Sequence, residues 1–195
     1  MAAGAQPAVL LSMLDERGQR SRSHGLPLEV LRAQAESLGV ELWTRCASWE
    51  EYEGVFVKAL GELKAAGVDA CVFGDIDLQE HREWEQMVCD RAGMDAHLPL
   101  WLAPRRPLID EFFSLGFKAT VVAALDEKLG QGCLGRQLDE ELVSEFEQVG
   151  IDPCGEEGEY HTVVTNGPIF AKPVRLVLGE TVRKLGHWVL DVSLG

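Results

Sequence analysis

Residues 8–14 read AVLLSML, a short unbroken apolar run with no polar–apolar alternation. Such a run suits a strand buried on both faces, the habit of parallel sheets covered by helices. Working outward from it, the chain keeps a strand–helix rhythm. A polar, basic stretch over 15–25 makes a loop. Pro27 opens a helix in its first turn. Leu28, Val30, Leu31, Ala35 and Leu38 keep one face of it apolar, and Gly39 stops it. Residues 40–44 read as a second strand. Ser48-Trp49-Glu50-Glu51 has the spacing of a capping box, and Tyr52, Val55, Phe56, Ala59, Leu60 and Leu63 follow at helical intervals up to Gly67. The third strand is 70–73. A helix over about 78–92 stops at Gly93, another opens near Pro107 and ends at Gly116, and 117–124 is a β-branched-rich strand. Asp139 is placed to cap a last helix that runs to Gly150.

This alternation predicts an α/β fold with a Rossmann-like (HUP-type) parallel sheet and helices on both faces. The segments 174–178 and 187–192 instead read as an antiparallel pair, a small C-terminal β extension. The expected organisation is a nucleotide-binding α/β region over 1–150, with an acidic motif and the β extension over 151–195 packed on it.

The chain has 195 residues, enough for one sizeable core. Eighteen Lys and Arg face thirty-two Asp and Glu, a formal charge of −14. That balance argues against general nucleic-acid binding and against an anionic membrane surface, while leaving room for a local anion pocket. No apolar run approaches the roughly 20 residues of a membrane span, and no signal peptide is read at the N-terminus. The five cysteines, Cys46, Cys71, Cys89, Cys133 and Cys154, are scattered and never form CxxC. Free thiols in a reducing cytoplasm are expected, with no structural metal.

Ligands of open α/β sheets bind beyond the carboxyl ends of strands. Three stretches qualify or stand out. Phe73-Gly74-Asp75-Ile76 ends the third strand. Gly74 lets a ligand approach the backbone, and Asp75 suits a ribose hydroxyl or a magnesium ion; the plain alternative is a helix cap. Arg20-Ser21-Arg22-Ser23-His24-Gly25 is the most basic stretch of an acidic chain, suited to a phosphate or a nucleotide edge, or else a solvated loop. Cys154-Gly155-Glu156-Glu157-Gly158-Glu159-Tyr160-His161-Thr162 crowds three carboxylates and an imidazole around two glycines. If extended, it would put Glu157, Glu159 and His161 on one face. Such a cluster binds magnesium, orients an amine or uses the imidazole as acid or base. Gly130-Gln131-Gly132-Cys133-Leu134-Gly135 matches GxGxxG but follows no strand directly and opens no helix, so the dinucleotide fingerprint is rejected. Among the five tryptophans, Trp101 in Pro99-Leu100-Trp101 is the one expected in a pocket.

Together these motifs resemble the diphthine–ammonia ligase family, a branch of the N-type ATP pyrophosphatases. The ordered pieces are His24-Gly25, Gln34-Ala35-Glu36, Val72-Phe73-Gly74-Asp75-Ile76, Pro99-Leu100-Trp101, Gly116-Phe117, Leu134-Gly135-Arg136, Gly155-Glu156-Glu157-Gly158-Glu159-Tyr160-His161-Thr162 and Gly167-Pro168-Ile169-Phe170. The resemblance implies a nucleotide α-hydrolase fold and ATP cleaved between its α and β phosphates, with Mg²⁺ on the phosphates. A carboxylate would be adenylated and ammonia would displace AMP to form an amide. Carried over, Arg22, His24, Gly25, Phe73, Gly74 and Asp75 line the nucleotide pocket. Glu156, Glu159 and His161 take the catalytic positions, and Trp101, Arg136, Gly158, Tyr160 and Thr162 bind substrate. The family also opens with a strand and an SGGKDS phosphate loop, and no such motif precedes Ala8. The expectation is a start site downstream of the natural one, or a truncated and inactive relative, with Met1-Ala2-Ala3-Gly4 near the end of the helix after that loop. Expected partners are ATP or AMP, a carboxylate acceptor, ammonia and a second copy of the chain. The alternatives are a non-catalytic adenine-nucleotide-binding or regulatory protein, and a metal hydrolase built on the Glu/His cluster.

Overall fold

The computed structural model describes residues 6–195. The expected helical placement of Met1-Ala2-Ala3-Gly4 lies outside them. The element order is β1 (Val9–Leu14), α1 (Leu28–Leu38), β2 (Glu41–Cys46), α2 (Tyr52–Ala65), β3 (Ala70–Val72), α3 (Gln79–Ala92), β4 (Asp95–His97), α4 (Arg105–Ser114), β5 (Lys118–Leu125), α5 (Glu140–Gln148), β6 (Tyr160–Asn166), β7 (Leu176–Lys184) and β8 (His187–Leu194). It is a mixed α/β chain. Its residue contacts divide it into two compact units, one taking the chain up to Leu31 with Val40–Ala103, the other Arg32–Gly39 with Pro104–Gly195. The 150/151 division expected from sequence falls inside the second unit.

The first unit holds the parallel strands. β1 pairs with β2 in parallel from Val9↔Glu41 to Leu14↔Cys46, and β3 pairs with β4 in parallel from Ala70↔Asp95 to Val72↔His97. Both pairs lie on one core. Met13 of β1, Phe56, Leu60 and Leu63 of α2, and Val88 and Cys89 of α3 are buried together, and Val9, Leu11, Trp43, Cys71, Phe73 and Ala96 pack against them. Each such buried side chain contributes about 1.5–3 kcal/mol of transfer free energy. Tyr52, Phe56 and Trp84 meet within this core at ring-centroid distances of 5.1–6.0 Å.

Among the described residues the strands do not join into the single parallel sheet expected from sequence. The first unit carries two separate two-stranded parallel sheets, and β5 belongs to a four-stranded antiparallel sheet of order β6-β5-β8-β7 in the second unit. An apolar, β-branched run marks β5 as a buried strand. It does not encode the direction of its neighbours, which arrive from residues 160–166 and 187–194. The C-terminal hairpin is present as expected, with β7 antiparallel to β8 from Leu176↔Leu194 to Lys184↔His187. The second unit's core joins Ile109, Ala119, Val121, Ala124, Leu142, Val143, Phe146, Ile151 and Tyr160.

Local signals held where their partners are local. Ser48 and Glu51 close the capping box: the Ser48 amide and hydroxyl donate to Glu51 Oε2 at 3.3 and 2.8 Å, and the Glu51 amide donates to Ser48 Oγ at 3.2 Å. Asp139 caps α5 by accepting from the Leu142 amide at 2.9 Å. All five cysteines remain thiols. No helix among the described residues is long and apolar enough to cross a membrane.

Candidate functional site

The first cluster sits at the carboxyl end of β3. The Phe73 amide still donates to His97 carbonyl at 2.9 Å, and beyond it the chain turns through Gly74 and Asp75. The Leu102 amide donates to Ile76 carbonyl at 2.7 Å, which ties the turn after β4 to this loop and holds Leu102 at φ 58°. The helix-cap alternative for Asp75 is not realised. α3 starts at Gln79 after Leu78, with no side-chain cap. Asp75 Oδ1 lies instead 2.6 Å from His81 Nδ1. Glu85 is 4% exposed, and its Oε2 has no partner. Burial pushes its carboxyl up to about 8, helped by the neighbouring Asp75. The Arg82 guanidinium stacks 4.8 Å over the Trp101 ring, whose Nε1 is buried without a partner. The structure thus gathers Gly74, Asp75 and Trp101 around a turn that offers both donors and acceptors.

The basic loop is built rather than loose. The Asp15 amide donates to Arg20 carbonyl and the Arg22 amide to Met13 carbonyl, both at 2.8 Å. The Gln19 amide donates to Asp15 Oδ1 at 2.9 Å, and the Leu26 amide to the buried Ser21 hydroxyl at 2.9 Å. Gly25 turns at φ 67° and its carbonyl accepts from Arg20 Nη1 at 3.0 Å. Arg22 lies 5.2 Å over the Trp49 ring and pairs with Glu16 at 2.6 Å. His24 keeps an exposed surface, yet crowding by neighbouring atoms pushes its pKa down.

The second cluster is the turn before β6. Asp152 organises it, accepting from the Cys154 amide at 3.2 Å and the Glu156 amide at 2.6 Å, with Arg105 Nη1 at 3.2 Å. Gly155 has φ 70°, and a Cβ there would come within 3.0 Å of the Tyr160 ring. The Tyr160 hydroxyl donates to Pro153 carbonyl at 2.6 Å while its ring packs against Phe146. Burial, with the nearby Cys154 and Asp152, raises its pKa well above the ordinary phenol value.

The expected common face of Glu157, Glu159 and His161 is not formed, because the strand begins only at Tyr160. Glu157 is 59% exposed and stands 3.8 Å from Arg105, whereas Glu159 is 1% exposed. Glu159 Oε1 lies 3.5 Å from Lys128 Nζ and 3.4 Å from the Asp152 amide, and its Oε2 has no partner. His161 stacks on His187 at 6.0 Å, and His187 Nε2 sits 3.0 Å from Gly158 carbonyl. Thr162 pairs with Val121 of β5. Arg136 is engaged elsewhere, by both oxygens of Glu145 at 2.6 and 2.7 Å.

Glu85, His81, Lys128, Asp152 and His187 escaped the sequence reading. The signal for the first two was the four-residue spacing of His81, Glu85 and Cys89, which puts a carboxylate on the inward stripe of α3. Among the described residues, no group of three or more His, Cys, Asp or Glu side chains is placed to hold a metal ion.

Residues 105–192 match the family model described as diphthamide synthase C-terminal domain, and residues 4–96 match the diphthamide synthase N-terminal domain. Among curated proteins, the chain is 27% identical to the diphthine–ammonia ligase of Danio rerio over 164 residues, 81% of this chain and 64% of that protein. It is 28% identical to the diphthine–ammonia ligase of Homo sapiens over 169 residues, 80% of this chain and 60% of that protein. A third relative, the diphthine–ammonia ligase of Schizosaccharomyces pombe, is 31% identical over 98 residues, 49% of this chain and 16% of that protein. The chain therefore spans less than two thirds of the length of these relatives. With both domain models matched in order along it, the chain belongs to the diphthamide synthase family.

Proposed function

We propose that this chain serves ATP-dependent amide formation of the diphthine–ammonia ligase kind, on a Rossmann-like nucleotide-binding frame in its first unit. A substrate carboxylate attacks the α-phosphorus of ATP and pyrophosphate leaves. Ammonia then displaces AMP from the acyl-adenylate, giving an amide and one released proton. The protein's part is to hold the reactants in line and to meet developing charge. Residues 73–75, with Trp101 and the loop carrying Arg22, His24 and Gly25, would take the nucleotide. Glu156, Glu159 and His161 would serve the acceptor and ammonia, with Gly158, Tyr160, Thr162 and Arg136 shaping that side. Magnesium enters only as the counter-ion of the ATP phosphates.

The observation that carries this reading is Glu159. A carboxylate this deeply buried, with one oxygen open, is costly unless a ligand or a function compensates it. It lies in the stretch that matches the family's C-terminal domain.

The test pairs calorimetric titration of ATP and AMP with a pyrophosphate-release assay on a carboxylate acceptor and ammonium. Glu159→Ala and His161→Ala are expected to abolish amide formation while ATP affinity stays. Unaltered turnover in either variant overturns its role. Equal, weak binding of ATP and AMP with no pyrophosphate release would instead mark a nucleotide-binding protein without α-phosphate chemistry. The antiparallel sheet ends in β7, whose exposed Val177, Leu178 and Val182 make it the edge through which a second copy would pair, readable by sedimentation.

A further inference from the structure

His187 has no part in the chemistry above, yet it touches the acidic turn on both sides of Glu159. Its Nε2 lies 3.0 Å from the Gly158 carbonyl, one residue before Glu159, and its ring stacks on His161, two residues after, with centroids 6.0 Å apart. Nδ1 lies 3.3 Å from the Leu185 carbonyl. A carbonyl oxygen only accepts, so the one proton of the neutral ring is assigned to Nε2, the nearer of the two contacts, and is donated to Gly158. The next carbonyl is held from β5: the Leu125 amide donates to Glu159 carbonyl at 2.7 Å, and Leu125 is the register partner of His187. Glu159 therefore leaves the turn between two anchored carbonyls, with its carboxylate buried.

The ring of His187 is itself braced. β7 and β8 are joined by Leu185 and Gly186 alone, at φ 50° and 81°, so His187 directly follows the hairpin tip. Asp126, just past β5, clasps that tip. Its amide donates to Gly186 carbonyl at 2.9 Å, and its carboxylate accepts from Trp188 Nε1 of β8 and pairs with Arg183 Nη2 of β7 at 2.5 Å. A side chain held in this way can keep a reacting group within the small tolerance that in-line chemistry needs.

We propose that His187 is a positioning residue: by donating from Nε2 to the Gly158 carbonyl it fixes the turn from which Glu159 projects, and so sets where that carboxylate meets the acceptor and ammonia. The inference rests on the reading of Glu159 as part of the amide-forming site. It gives His187 no contact with substrate and transfers no proton.

The test uses the full chain, with amide formation measured on ATP, ammonium and protein-borne diphthine, and with NMR of the Glu159 side-chain carboxyl carbon. His187→Phe keeps a ring against His161 and removes the donor. His187→Gln removes the ring and keeps an N–H near the place of Nε2. Phenylalanine should lower kcat about tenfold, the loss expected for one hydrogen bond, with the KM for ATP within about twofold. It should also shift the Glu159 resonance. Glutamine should recover most of the kcat and return the resonance toward its natural place. His187→Asn, whose amide falls short of Gly158, should lose kcat as phenylalanine does, and it keeps the test open should phenylalanine disturb packing. Natural kcat in the phenylalanine or asparagine variant, an unmoved Glu159 resonance, or a glutamine variant no better than these two overturns the proposal. A KM for ATP that rises as kcat falls overturns it as well, because the turn would then act through the nucleotide. A natural chain that forms no amide defeats the reading of Glu159, and the positioning role with it, even where the resonance still moves.

Discussion

His81 Nδ1 stands 2.6 Å from Asp75 Oδ1, in the first turn of α3. The contact joins an imidazole that is 58% exposed to a carboxylate whose other neighbour is the buried Glu85. An aspartate at the start of a helix commonly spends its oxygens on first-turn amides. Here Oδ1 is spent on a side chain instead, and the groups run from the exposed His81 through Asp75 to the buried Glu85. That run makes stability depend on pH in a defined direction.

The Glu85 carboxyl is raised from 4.5 to about 8 in the folded protein. Between those two values the native state holds a proton that the unfolded state has given up. Stability contributed by this group is therefore fully present below about pH 4.5 and is lost as pH rises to about 8. Glu85→Gln removes that slope. Thermal unfolding at pH 5 and pH 8.5 should show a smaller alkaline loss in the variant, by on the order of a few kcal/mol at most. Parallel pH curves for the two proteins would contradict the buried, protonated Glu85.

Leu60 is fully buried among Met13, Phe56, Leu63 and Val88. Leu60→Ala deletes methyl groups from a close-packed site and leaves a cavity, costing about 3 kcal/mol. Leu60→Met keeps the volume and should cost less than about 1.5 kcal/mol. Urea unfolding of the two variants separates the cavity cost from a mere change of shape.

Asp139 holds the Leu142 amide at the head of α5, a helix whose Leu142, Val143 and Phe146 face the second unit's core. Asp139→Ala should cost about 1 kcal/mol, and Asp139→Asn should keep most of it, since the amide oxygen still accepts. The midpoint of chemical denaturation reads the difference, with no expected change in its slope.

Gly155 combines a left-handed backbone with a close approach to the Tyr160 ring. Gly155→Ala meets both the φ penalty and the crowding, and should destabilise by roughly 2 kcal/mol or more. Because Asp152 and Tyr160 frame the turn that leads to Glu159, the same variant should lower amide-forming turnover more than ATP affinity. Equal losses in both would separate this turn from the acceptor side.

Much of the local structure was legible beforehand. The capping box of Ser48 and Glu51, the Asp139 cap, the glycine stops at Gly39 and Gly93 and the C-terminal hairpin all depend on residues a few positions apart. The acidic turn was legible as a cluster of chemistry, but its geometry was not. A period-two reading treats 157–161 as extended, whereas Gly155 and Gly158, both at positive φ, bend the chain before β6 begins. That bend turns Glu157 outward and sends Glu159 inward. Arg136 looked available because its partner Glu145 lies on the following helix, nine positions later.

By itself, then, the order of residues determined the helices, the strands other than β4 and β6, several caps and the family to which the chain belongs, because those rest on short-range hydrogen bonds, apolar periodicity and ordered motifs. The tertiary structure decided which way β5 faces its neighbours, that the parallel strands stand as two pairs, and that Glu85 is shut away beside Asp75. The physical reason is the same in each case. Strand direction and the exclusion of water are set by partners tens of residues distant, and a carboxyl carries no mark in sequence of whether it will meet solvent or another carboxyl.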